Sequence, residues 1–198
     1  MRSPLLTGAL AGAITLALGL SACSKPEGEA APAAAATSGD SAAQAPAAQA
    51  ENPFFAPSSL PLLAPDFSKI KDEHYQPALL EGMSQHLAEI EAIANNPEPP
   101  TVANTLEALE RSGALLTRAT KVFFNLAGTD TNPTIQKIQA EVAPKMAAHQ
   151  DAILLNPKLF ERVKAIYDAR EVLNLDPETK RLVEQSHLRF VRAGAELT

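Results

Sequence analysis

The chain has 198 residues, 45% apolar and 20% charged, with a net charge of −6 and one cysteine. Acidic balance with scattered Lys and Arg excludes the basic stripe of a nucleic-acid binder. A single Cys excludes an intrachain disulfide and a cysteine-rich metal site, and 5% aromatics without Trp excludes an aromatic stacking platform.

The first segment reads as an address. Arg2 gives a positive start, Leu5 to Leu20 is uncharged and rich in Leu, Ala and Gly, and Ser21 and Ala22 are small. These are the three parts of a secretory signal peptide. Leu20-Ser21-Ala22-Cys23 resembles a bacterial lipobox. The resemblance implies cleavage after residue 22 and lipidation of the Cys23 thiol. Two or more acyl chains then anchor the chain stably, where one would not. Ser24, in place of Asp, resembles the signal for the outer membrane. The expected location is therefore the cell envelope, on the outer membrane facing the periplasm.

Residues 23–52 read as a tether. Between Ala30 and Ala50, 12 of 21 residues are Ala, broken by Pro, Ser, Gln and Gly. Such a stretch cannot bury enough surface to offset its ordering entropy.

Residues 53–198 read as all-α, with antiparallel neighbours where links are short. Pro53, Pro57, Pro61 and Pro65 hold a lead-in out of regular structure. Its Phe54, Phe55, Leu60, Leu62 and Leu63 need a surface to lie against. A first helix is predicted from Asp72, bent or restarted at Pro77, with Leu79, Met83, Leu87, Ile90 and Ala94 along one face, ending before Pro97. A second runs from Thr101 or Asn104 to Ala127. Its stripe of Val102, Leu106, Leu109, Gly113, Leu116, Thr120, Phe123 and Ala127 is the strongest periodic signal in the chain and reads as core.

Asn132-Pro133, Asn156-Pro157 and Asp176-Pro177 each open a further helix, since Pro suits the first helical position and Asn or Asp the cap. Pro144 should kink the first of these. The last helix shows no stop signal before Thr198 apart from Gly194.

Chemistry is sparse. His74, His86, His149 and His187 form no H-E-x-x-H pattern. His149 lies on an apolar face and reads as a core histidine. Glu89 with Glu91, and Glu107 with Glu110, read as solvated surface, with Glu107 pairing Arg111 at i,i+4. No nucleophile elbow or phosphate loop is present.

An ordered set of short motifs adds a family resemblance. Asn52-Pro53-Phe54, His74-Tyr75, Pro77-Ala78 and Glu81-Gly82-Met83 come first. Leu106-Glu107-Ala108-Leu109-Glu110-Arg111-Ser112-Gly113, Val122-Phe123-Phe124 and Thr131-Asn132 follow. Leu159-Phe160, Arg181-Leu182-Val183-Glu184 and Phe190-Val191-Arg192-Ala193-Gly194-Ala195 complete the series. Together they resemble the amino-terminal part of bacterial peptidyl-dipeptidases, of the thimet oligopeptidase and oligopeptidase A family of zinc metallopeptidases.

The resemblance implies a mostly helical, deep-channel peptidase for oligopeptides. Its zinc ligands and general base come from an H-E-x-x-H helix and a later Glu, which this sequence does not reach. No family catalytic or metal residue can be carried onto these residues, and Cys23 is the one modification site expected. What is implied is the front part of a lipid-anchored zinc peptidyl-dipeptidase. It would be inactive by itself, bind no zinc, and expose apolar surface that meets the missing catalytic part. The alternative is a non-catalytic helical lipoprotein that binds peptides or proteins.

Overall fold

The computed structural model describes residues 52–197. The signal peptide, Cys23 and the tether up to residue 51 lie outside the described residues. Two 3₁₀ turns, Pro53–Phe55 and Pro61–Leu63, precede the long helix α1 (Asp72–Ala94). A π-helical turn, Val102–Glu107, runs into the short α2 (Ala108–Arg111). Four helices complete the chain: α3 (Ala114–Thr129), α4 (Pro133–Leu154), α5 (Pro157–Ala169) and α6 (Pro177–Ala193). No strand occurs among the described residues, and the fold is all-α as expected. None of these helices is long and apolar enough to cross a membrane.

The Asn/Asp-Pro starts behave as read. Asn132, Asn156 and Asp176 each accept a backbone N–H of their own first turn, from Ile135, Leu159 and Thr179 respectively, at 2.9–3.1 Å. These bonds satisfy donors that a helix start otherwise leaves orphaned.

Three expectations are corrected. The predicted second helix is not continuous, because Gly113 adopts φ +68° and separates α2 from α3. The apolar stripe crosses this break in phase, so periodicity alone could not show it. The last helix does stop at Gly194, whose φ is +101°. There the Ala195 N–H reaches Phe190 O at 3.1 Å and the Gly194 N–H reaches Val191 O at 3.0 Å, closing a Schellman motif. Pro77 and Pro144 both lie inside continuous helices, so the chain does not restart at Pro77. Pro144 and Ala140, whose carbonyl it orphans, are both exposed, so water can satisfy that group. Finally, Phe54 finds a surface, but Leu60, Leu62 and Leu63 remain exposed.

Helix directions follow from which residues meet. Tyr75 packs against Phe123, and Glu89 bonds Gly113, so α1 and α3 are antiparallel. Asp72 bonds Asn132, Gln76 bonds Glu141, and His86 meets His149, so α1 and α4 run parallel. Tyr167 stacks on His187 and Glu171 pairs with Lys180, so α5 and α6 are antiparallel.

Two apolar cores result. The first gathers Phe54, Tyr75, Leu79, Phe123, Ile135 and Val142. Phe54, Tyr75 and Phe123 are tilted against one another with centroids 5.4 and 5.3 Å apart. Arg118 seals the lead-in over this core by donating twice to Phe54 O, at 3.2 and 2.8 Å. Gly82 lets α3 approach α1: a Cβ there would lie 2.8 Å from Leu116 Cα.

The second core holds Ile90, Leu106, Leu159, Phe160, Ile166 and Phe190. Arg162 ties the Asn96–Thr105 connection to it. Its buried guanidinium donates to Asn96 O, Glu98 O, Thr105 Oγ1 and Asn104 Oδ1 at 2.8–3.3 Å.

Candidate functional site

A polar layer separates the two cores. Along α1, Met83 belongs to the first core and Ile90 to the second, with His86 between them. Along α4, Met146 packs on the first core and Ile153 on the second, with His149 between. Helical spacing of three and four residues puts each histidine on the buried stripe, and the parallel course of α1 and α4 brings the two together.

A chain of hydrogen bonds runs through the layer. His86 Nδ1 lies 3.0 Å from His149 Nε2, and His86 Nε2 lies 3.0 Å from Ser112 Oγ. Ser112 donates its hydroxyl hydrogen to Leu109 O at 2.7 Å. Ser112 Oγ can then only accept, so His86 carries its proton on Nε2. His86 Nδ1 in turn accepts from the N–H at His149 Nε2. His149 Nδ1 is left bare, buried and without a partner among the described residues. This tautomer assignment follows from donor and acceptor bookkeeping along the network.

Both rings are neutral in this arrangement. Burial pushes the His86 pKa below its ordinary value, against the opposing charge of Glu89. Burial also pushes His149 down, and the neighbouring His86 adds to the effect.

A serine, a histidine and a third ring in line resemble a nucleophile relay. Two contacts argue against that chemistry. The serine proton is committed to Leu109 O. The next N–H, on Gly113, which would stabilise an oxyanion in such a relay, is held by Glu89 Oε2 at 2.6 Å. A carboxylate in that position would repel a developing negative charge. The layer is a cross-link between α1, α4 and the Ser112–Gly113 break.

A zinc centre needs three or four convergent ligands. Among the described residues no three His, Cys, Asp or Glu side chains converge. His86 and His149 also spend their facing nitrogens on each other. The described residues therefore do not fit the zinc that the family resemblance implies. The expected modification site, Cys23, lies outside the described residues.

Beside the polar layer a cleft of about 120 Å³ opens between α1, α2, α4 and α6. Leu106, Leu109, Ile153 and Phe190 are among its apolar lining, and His86 and Ser112 edge it. Four further polar residues line it: Glu110, Gln150, Ser186 and Arg189. No side-chain hydrogen bond or ion pair occupies these four among the described residues. Polar side chains so placed can recognise a ligand without breaking a contact first.

Glu110 lies on a solvated face, as its sequence pattern suggests, and no motif marks Gln150, Ser186 or Arg189. They come from three separate helices, and no local pattern links them. Glu89 is a surface residue, as its sequence pattern suggests, but its bond to Gly113 depends on the αL turn that the apolar stripe conceals.

No family model matches the chain. Over 146 residues, 74% of its length, the chain is 50% identical to a dipeptidyl carboxypeptidase of Escherichia coli (strain K12). It is 49% identical, again over 146 residues, to a dipeptidyl carboxypeptidase of Salmonella typhimurium. The matches take in 21% and 22% of those proteins, so the chain spans about a fifth of the length of the curated relatives it matches. At this level of identity the chain is similar to part of the bacterial dipeptidyl carboxypeptidases.

Proposed function

We propose that the chain is the front part of a lipid-anchored zinc peptidyl-dipeptidase, which removes dipeptides from the carboxyl ends of oligopeptides. The observation that carries this reading is the 50% identity to a dipeptidyl carboxypeptidase over 146 residues. In that reading the zinc and its general base belong to a catalytic part further along the same polypeptide. The described helices serve as scaffold, and the 198-residue chain by itself is inactive.

Exposed apolar side chains support a partner surface for that catalytic part. On the lead-in, Leu62, Leu63 and Phe67 are 101%, 66% and 64% exposed. Cys23 carries the lipid, and the outer membrane facing the periplasm is the proposed location.

The test is to sequence the reading frame beyond the codon for Thr198. An in-frame H-E-x-x-H with a downstream Glu, and chelator-sensitive release of carboxyl-terminal dipeptides by the longer product, is the expected result. A stop codon directly after Thr198, or peptidase activity from the purified 198-residue chain, would sink it. Lipidation is tested separately: labelled fatty acid enters the wild-type chain and not Cys23→Ser.

A second reading is a helical lipoprotein that binds peptides without cleaving them. The four uncommitted polar side chains around the Phe190 cleft favour it. A stop codon after Thr198 together with zinc-independent peptide binding would select it.

A further inference from the structure

We infer that the cleft between α1, α2, α4 and α6 binds a short zwitterionic peptide, of the size of a dipeptide, with one apolar side chain on its floor. The argument starts from charge. Glu110 and Arg189 line the same cleft, and each lacks an ion pair among the described residues. Glu110 and Arg189 sit on different helices and do not pair, so the cleft offers both signs of charge at separate points. They match a ligand that carries both signs at separated ends. A free amino terminus meets Glu110, and a free carboxylate meets Arg189, whose planar fork suits a carboxylate.

The middle of the cleft matches the rest of such a ligand. Gln150 offers an amide and Ser186 a hydroxyl, both uncommitted, for the single peptide bond. Leu106, Leu109, Ile153 and Phe190 offer an apolar floor. The volume of about 120 Å³ is below that of a cavity known to admit benzene, so it holds one side chain and not a folded segment. His86 and Ser112 stiffen the edge, because each is already bonded within the polar layer.

This inference does not depend on the peptidase reading; it deepens the second, peptide-binding reading of the same cleft and rests on it. A dipeptide is also what an enzyme named for removing dipeptides would release, which makes the ligand class available where such an enzyme works.

The experiment titrates the whole 198-residue chain with the dipeptide Ala-Leu by calorimetry and by backbone amide shifts. The same titration is run with its N-acetyl form, its C-amide and the doubly blocked form. Binding of Ala-Leu that weakens about tenfold on amidation, and about tenfold in Arg189→Ala, is expected, since each removes one charge-assisted contact. N-acetylation and Glu110→Gln should weaken it similarly. Shifts should appear at Leu109 and Phe190 and not at Phe54. Arg189 and Glu110 are exposed, so both variants keep the fold, and their thermal melts check this. No binding of Ala-Leu at about 10 mM overturns the inference. So does equal binding of the doubly blocked peptide, or full binding by Arg189→Ala. Neither of those results bears on the peptidase reading, which the longer reading frame decides.

Discussion

His86 Nδ1 and His149 Nε2 lie 3.0 Å apart and join two parallel helices between two separate apolar cores. Burial holds both pKa values below the ordinary 6.5 of histidine. A histidine depressed in the folded state binds fewer protons there than in the unfolded chain. Its contribution to stability is therefore complete above about pH 6.5 and is lost as pH falls through the lower folded value. The lowered carboxylates Asp66, Glu171 and Asp176 start from 3.8 to 4.5 and act only in a more acidic window. We expect a lower urea midpoint at about pH 5.5 than at about pH 7.5. His149→Gln should narrow that gap, leaving the parts owed to His86 and His187, which burial also depresses. An unchanged gap in the variant would show that His149 does not contribute to the effect.

Gly82 sits where α1 and α3 touch, with its would-be Cβ 2.8 Å from Leu116 Cα and 2.9 Å from Leu116 N. The obstacle is backbone, which cannot rotate away as a side chain can. Gly82→Ala should cost about 1–3 kcal/mol despite its better helix propensity. Thermal melts should show a drop of roughly 3 °C per kcal/mol. A stabilised variant would mean that the two helices can separate freely.

Arg162 is 7% exposed and donates to four neutral oxygens. Removing it strands the carbonyls of Asn96 and Glu98 and leaves a cavity beneath the connection. Arg162→Ala should cost about 3 kcal/mol. Arg162→Lys should recover only part of this, because an ammonium cannot reproduce the planar fork. Urea titrations of both variants decide it; equal stability of Ala and Lys variants would count against the fork.

Leu62 is fully exposed and holds φ +58°, a left-handed conformation that costs a branched side chain about 1–2 kcal/mol. Leu62→Gly relieves that strain but loosens the unfolded chain. The variant should be neutral to about 1 kcal/mol more stable, where a core Leu→Gly would be strongly destabilised. A clear loss in the urea midpoint would reveal contacts that Leu62 makes in solution.

Local signals carried much of the architecture. Asn132-Pro133, Asn156-Pro157 and Asp176-Pro177 each placed a helix start correctly, because capping and the fixed φ of Pro act within one turn. The predicted first helix also ends as read, at Ala94 before Pro97. The Val102–Ala127 stripe shows the limit of such signals. Its spacing is as even across Gly113 as within a helix, yet Gly113 packs against the His86 ring and turns the chain there.

The sequence by itself determined what depends on neighbours in the chain: an all-α class, the capped helix starts, the apolar stripes, and the ordered motifs that carry the family resemblance. Only the tertiary structure decided what depends on residues far apart in it. His86 meets His149 across 63 positions because α1 and α4 run parallel. Glu89 reaches Gly113 across 24 because α2 and α3 separate there. Glu110, Gln150, Ser186 and Arg189 share one cleft because the helices that carry them converge. Hydrophobic spacing states which face of a helix is buried, but not which other helix covers it, and sites are made by that second choice.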